Sequence, residues 1–145
     1  MFVVGIDPGV HNMAVAVLRA EDNCIIEWRL VDLVQKKKPT IGEVVKAATA
    51  FVLQFVSDKE ALVVRIEQQP VNNTAMKVLS HVLQALFLTK TNDVTLVNPK
   101  TYKSAGGTYS QRKRDAVRRV GELVSGGPWQ AVFDTSKKKD DLADA

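Results

Sequence analysis

At Ile41 the hydrophobic pattern of this 145-residue chain changes its period, and that change limits the fold more than any other feature. Before it, Phe2–Asp7 (FVVGID), Met13–Arg19 (MAVAVLR) and Cys24–Leu30 (CIIEWRL) are short apolar runs bounded by turn residues, as strands are. Pro8-Gly9 closes the first run, and Glu21-Asp22-Asn23 joins the second to the third in a tight polar turn. Three antiparallel strands in a meander are expected. After it, Ile41, Val44, Val45, Ala48, Phe51, Val52, Phe55 and Val56 recur at helical spacing and give one apolar stripe. Gln35–Thr40 (QKKKPT), a charged loop with a proline, separates the two regimes.

The alternation then continues. Ala61–Glu67 (ALVVRIE) reads as a buried strand ending in an acid, and Pro70-Val71-Asn72 breaks it. Asn72 or Asn73 can cap a second helix, whose inward face holds Ala75, Met76, Leu79, Val82, Leu83, Leu86 and Phe87. Val78 and Leu88 widen that face beyond what one core contact requires. Val94–Val97 is a fifth strand, followed by a loop rich in Lys, Ser, Gly and Tyr. A third helix carries Ala116, Val117, Val120, Leu123 and Val124 and ends at Gly126-Gly127-Pro128, and a last helix is expected from about Lys138. The order βββαβαβα with a final helix describes one α/β domain.

Composition agrees with a single globular domain, at 46% hydrophobic and 25% charged residues. No run of about 18 apolar residues occurs, which excludes a membrane-spanning helix, and the opening FVVGID has no features of a signal peptide. Cys24 is the only cysteine, so no intramolecular disulfide can form; a reducing, intracellular compartment is expected, with Cys24 a core residue. A net charge of +4 is a mild pointer to a polyanionic partner.

Three groups of acids stand out. Asp7 ends the first strand, where a side chain projects beyond the sheet edge; a strand-terminating Asp-Pro-Gly turn is the plain alternative. Glu67 repeats the pattern, and a carboxylate there is poorly explained by packing because burying it unpaired is costly. If the two strands are neighbours, the carboxylates repel unless a cation sits between them. In the closing SKKKDDLADA, Asp141 and Asp144 are three apart and share a helix face, whereas Asp140 points elsewhere and suits a helix N-terminus. Alone, that segment reads as a solvated helix start. With two strand-end acids it supplies what a hard-cation site needs, and oxygen ligands without histidine or thiol clusters suit Mg²⁺ or Mn²⁺.

Between Lys100 and Arg119 the charge balance tips. Lys100, Lys103, Arg112, Lys113, Arg114, Arg118 and Arg119 are opposed only by Asp115, with Tyr102 and Tyr109 interleaved. A solvated helix and loop is one reading. A phosphate-tracking patch, with tyrosines able to stack on bases or brace the loop, is the preferred one.

The stretches GIDPGVHNMAVAV (Gly5–Val17), VVRIEQQP (Val63–Pro70), VNPKTYK (Val97–Lys103) with YSQRKRDAV, and KKKDDLADA (Lys137–Ala145) span almost the whole chain. With these residues the sequence resembles the RuvC-type Holliday junction resolvases of the ribonuclease H-like superfamily. It looks closest to the branch found in poxviruses, iridoviruses and fungal mitochondria. The resemblance implies an α/β, ribonuclease H-like fold: a five-stranded mixed sheet, three antiparallel strands then parallel ones, with helices on both faces. It implies a single RuvC-like nuclease domain over residues 1–145 that nicks four-way junctions in pairs during recombination or replication. It also implies a homodimer acting at a viral replication site or in mitochondria, and the wide apolar face of the Asn73–Leu88 helix is the candidate for the dimer contact.

Carried over by position, the ligands of two Mg²⁺ ions (Mn²⁺ can substitute) are Asp7, Glu67, Asp141 and Asp144. Asp140 matches a second acid often seen in the viral branch. Lys138 and Lys139 are candidates for a contact with the scissile phosphate, or are solvated with Lys137. Family members usually continue past DDLADA, so the final helix is expected to be cut short, with little to pack against. A nuclease with looser choice of branched DNA or RNA–DNA duplex, and a non-cutting junction-binding module, are the competing readings. A sugar-kinase or actin-type ATPase needs a duplicated domain that 145 residues cannot supply.

Overall fold

The computed structural model describes residues 1–56, 62–69, 72–98 and 108–144, apart from the side chain of Tyr109. Three strands open the chain: β1 (Phe2–Asp7), β2 (Met13–Arg19) and β3 (Cys24–Val31). They are followed by α1 (Ile41–Val56), β4 (Leu62–Glu67), α2 (Thr74–Leu88), β5 (Val94–Val97), α3 (Tyr109–Val124), α4 (Gln130–Thr135) and α5 (Lys139–Asp144). The strands form one sheet in the order β3-β2-β1-β4-β5. β1–β2 and β2–β3 pair antiparallel, and β1–β4 and β4–β5 pair parallel, which is the mixed sheet expected from the change of period. Gly9 permits the sharp return from β1 to β2, since a Cβ there would lie 2.8 Å from the Asn12 carbonyl oxygen.

Alternation along the strands divides the core. Val4 and Ile6 of β1, Met13, Val15 and Val17 of β2, and Leu62, Val64 and Ile66 of β4 are buried with Ala48, Val52 and Phe55 of α1 and Leu79, Leu83 and Phe87 of α2. On the opposite face Ala16 and Trp28 meet Val124 of α3, Phe133 of α4 and Leu142 of α5. The side chain of Asn73 accepts the Met76 N–H (3.3 Å) and starts α2, as the sequence allows. Thr108 and Gln111 close a reciprocal capping box at the start of α3.

The structure departs from the sequence reading at five places. α4 was not expected: Gly126-Gly127-Pro128 stops α3, but the chain resumes a short helix that buries Phe133. Cys24 is exposed rather than in the core, because it pairs with Arg19 at the turn end of the edge strand β3. Leu123 is 82% exposed: the buried stripe of α3 runs Val117–Val120–Val124, and a neighbouring residue lies about 100° round the helix. Ile41 is 61% exposed, since it opens α1 ahead of the part that meets the sheet. Short α5 does have something to pack against, because Leu142 is buried beneath Trp28 and Phe133.

Candidate metal centre

Parallel pairing of β1 with β4 runs in register from Phe2↔Leu62 to Ile6↔Ile66. One step further sets Asp7 across from Glu67. Since Ile6 and Ile66 face α1 and α2, the pleat turns both acids to the face that carries α5. There Asp144 joins them: Asp7, Glu67 and Asp144 each offer a carboxylate oxygen, all within 4.8 Å of one another. Glu67 Oε2 is sealed from solvent.

Burial raises the Asp7 carboxyl from its ordinary 3.8 to about 7, reinforced by the charges of Glu67, Asp144 and Asp141. Only the Gln69 side-chain amide, whose Nε2 donates to Asp7 Oδ1 at 3.1 Å, opposes that rise. Folding has therefore concentrated negative charge where water solvates it poorly, a cost that a divalent cation would remove. Oxygens on one Mg²⁺ sit about 2.0–2.1 Å from it, hence at most about 4.2 Å apart, so the trio is close to the span such an ion requires. The all-oxygen donor set fits Mg²⁺ or Mn²⁺.

The cluster opens into a cleft of about 430 Å³ lined by Asp7, Gly9, His11, Asn12, Gln69 and Asp141 among others. Asp141 thus faces the same space without joining the tight trio. Asp140 is engaged elsewhere. Lys113 Nζ donates to Asp140 Oδ2 at 2.6 Å, and that bond holds the carboxyl below the usual carboxylate range. Lys138 Nζ lies 3.9 Å from Asp141 Oδ2, while Lys139 Nζ lies 3.9 Å from Asp134 Oδ1 and above the Phe133 ring.

Of the basic patch, Lys113 is half-buried against α5, and Arg118 pairs with Glu122 at 2.8 Å on the exposed side of α3. Arg114 and Arg119 are exposed and Arg112 is half-buried. Lys100, Tyr102 and Lys103 lie outside the described residues, as does the Tyr109 side chain.

Two contributors to the site escaped the sequence. Gln69 was seen only as a residue following Glu67, although its amide is what holds Asp7. Trp28 looked like a strand residue, yet its buried Nε1–H donates to the Leu142 carbonyl at 3.0 Å and its ring stacks on Phe133 at 5.5 Å. The last four carbonyls of a helix have no partner within it, so this indole caps the helix that carries Asp141 and Asp144. A weak signal was available: a Trp in an otherwise ordinary strand needs a partner for its N–H when buried.

A family model described as Poxvirus A22 protein matches residues 1–145. No curated protein matches the chain. Among solved structures, the yeast mitochondrial Holliday junction resolvase Ydc2 superposes with a TM-score of 0.71 at 20% identity, over 98% of this chain and 74% of that one. Thermus thermophilus RuvC gives 0.65 at 18% identity, over 99% of this chain and 90% of its own. The same RuvC in complex with a Holliday junction substrate gives 0.60 at 17%, over 99% and 88%. The fold is thus the RuvC, ribonuclease H-like one, and the resemblance read from the sequence is borne out.

Proposed function

The chain belongs to the Poxvirus A22 protein family, and on that premise we propose that it is a Mg²⁺-dependent endonuclease that resolves four-way DNA junctions by paired, symmetric nicks. The observation that carries this reading is the convergence of Asp7, Glu67 and Asp144 from two strand ends and a helix onto one point, with Asp141 in the adjoining cleft. These four carboxylates are the ligand set. When bound, a pair of Mg²⁺ ions supplies an activated water for in-line attack on a phosphodiester and neutralises charge on the leaving 3′ oxygen.

The chain's own residues prepare that chemistry. Gln69 fixes the orientation of Asp7 by donating to one of its oxygens. Burial keeps Asp7 costly to ionise without a cation, which couples its charge to metal occupancy. Asp140 acts as counter-ion to Lys113 and holds that ammonium beside the ligand helix. Lys138, exposed and near Asp141, is the terminal lysine best set to meet the scissile phosphate; Lys139 is turned toward Asp134. Lys100, Lys103, Tyr109, Arg112, Arg114 and Arg118 track the flanking phosphates.

The active form is a homodimer, whose two-fold axis matches the near two-fold symmetry of the substrate. Leu79 and most of Leu86 belong to the core, so the pairing face of α2 is its outer stripe, with Val78, Ala85 and Leu88. Such an enzyme works wherever the branched DNA arises, at a viral replication site or in a mitochondrion.

The test is incubation with a synthetic four-way junction and Mg²⁺ beside an Asp7→Asn variant. Paired, ligatable nicks from the unaltered protein alone support the proposal. Binding without cleavage by both proteins would favour the junction-binding module. Equal cutting of flaps and RNA–DNA duplexes would favour the looser nuclease.

A further inference from the structure

The loop between β3 and α1 is fastened at its start to the β1–β2 loop and at its end to the first turn of α1. At its start the backbone N–H groups of Leu33 and Val34 both donate to the Val10 carbonyl, at 3.0 and 3.4 Å. Asp32 Oδ1 lies 3.3 Å from His11 Nδ1. At its end Glu43 accepts from the Thr40 N–H (2.7 Å) and hydroxyl (3.0 Å), while the Glu43 N–H donates back to that hydroxyl. Lys36 is tied to the same carboxylate at 3.0 and 3.2 Å.

Val10 and His11, to which the loop is pinned, line the cleft that holds Asp7 and Asp141. What remains at the tip is Lys37 and Lys38. Both are exposed, and among the described residues neither makes an ion pair. Exposed lysines are ordinarily solvated and nothing more. These two differ in placement: they are adjacent like charges beside a neutralised Lys36, on a loop whose start is tied to the cleft residues Val10 and His11 and whose end is tied to α1.

We propose that Lys37 and Lys38 form a second phosphate-binding ridge, near the sheet edge where the metal cleft opens and on the side away from α3. The loop leads into α1, which covers one face of the sheet, whereas α3 lies on the other. The acids of β1 and β4 face the α3 side, and the ridge would add positive charge at the other side of the same sheet edge. Duplex arms leave a four-way junction in diverging directions, so backbone from more than one arm meets the protein around a cleavage point. A basic α3 alone would grip one side. The ridge reads no bases: two ammonium groups neutralise phosphate oxygens, which gives affinity and register and makes binding salt-sensitive. This rests on the junction-nuclease reading above, and deepens it.

The experiment measures affinity for a fixed synthetic four-way junction in EDTA, so that nothing is cut, across a salt series. The unaltered protein is compared with Lys37→Ala/Lys38→Ala, with Lys37→Arg/Lys38→Arg, and with Lys90→Ala, which lies at the far end of α2. Each lost phosphate contact lowers the slope of log K against log[salt] by about 0.9, so the double alanine variant should lose about 1.8. The arginine pair and Lys90→Ala should keep the full slope, and all variants should keep the melting temperature. An unchanged slope for the alanine pair, beside a steep one for the unaltered protein, overturns the ridge and leaves the nuclease reading intact. No salt-dependent junction binding by the unaltered protein would remove both.

Discussion

The sheet face under α1 and α2 is joined by apolar contact between long elements: Phe55 meets Phe87 edge-on at 6.0 Å, and Val52, Leu79 and Leu83 fill the space around them. The face under α3, α4 and α5 has a smaller apolar cluster but several directed polar ties. Trp28 donates to Leu142, Trp129 Nε1 donates to the Ile25 carbonyl at 2.8 Å, and Lys113 bonds Asp140. The contrast follows from what each face must hold. Dispersion and burial are non-directional and suit a core that only has to be dense. A helix that must keep two acids near two others, against their mutual repulsion, needs contacts with defined geometry.

The largest separation between the faces should appear when each is cut at its centre. Asp7→Asn should lower junction cleavage by roughly two to three orders of magnitude or more, since it removes a ligand at the reacting centre. Its metal-free melting temperature above pH 7 should not fall, because a repelled buried charge is gone. Phe87→Ala should do the reverse, costing about 3–5 kcal/mol of stability by chemical denaturation while the folded fraction keeps its metal affinity. If Asp7→Asn instead melted far below the unaltered protein, the acids would be holding the fold together, not burdening it.

Trp28→Phe probes the ties more finely. It keeps a ring to stack on Phe133 but removes the N–H that holds Leu142, so α5 loses its carbonyl anchor. Outer partners of ligand groups typically contribute 10–100-fold in metal affinity, and a drop of about tenfold in Mn²⁺ affinity by calorimetry is expected here. The apparent affinity for junction DNA should stay put. Unchanged Mn²⁺ binding would reduce Trp28 to a packing residue.

How much of this could be read from the chain depends on how local each signal is. Asp7 and Glu67 were legible because each interrupts an apolar run at its end, and alternation along a strand then fixes which face both share. Asp141 and Asp144 were legible through helical spacing. Trp28 with Leu142, 114 residues apart, has no periodic signature, and neither does Lys113 with Asp140. Both depend on how α3 and α5 dock, which only the assembled fold determines. α4 was hidden because Gly126-Gly127-Pro128 signals a stop and six residues are too few to show a period. Leu123 and Cys24 misled because hydrophobic identity was read as burial, although exposed apolar residues are normal on any surface.

A smaller effect follows from the Asp7 carboxyl. Its value is raised in the folded, metal-free protein, so its stabilising contribution is complete below about 3.8 and is lost as pH rises toward about 7. Mg²⁺ requires the ionised form and so competes with that proton. The Mg²⁺-induced rise in melting temperature should therefore grow between pH 5.5 and 7.5 and then level off, while Asp7→Asn should show a flatter profile over the same interval. A rise of equal size at every pH would mean that metal binding does not involve this carboxyl.

Most direct for the central claim is anomalous X-ray scattering from crystals of the protein soaked in Mn²⁺. The account predicts a peak within coordination distance of Asp7, Glu67 and Asp144, extending toward Asp141 if a second ion is held. Peaks elsewhere, or an ordered acid cluster with no peak at saturating Mn²⁺, would contradict it.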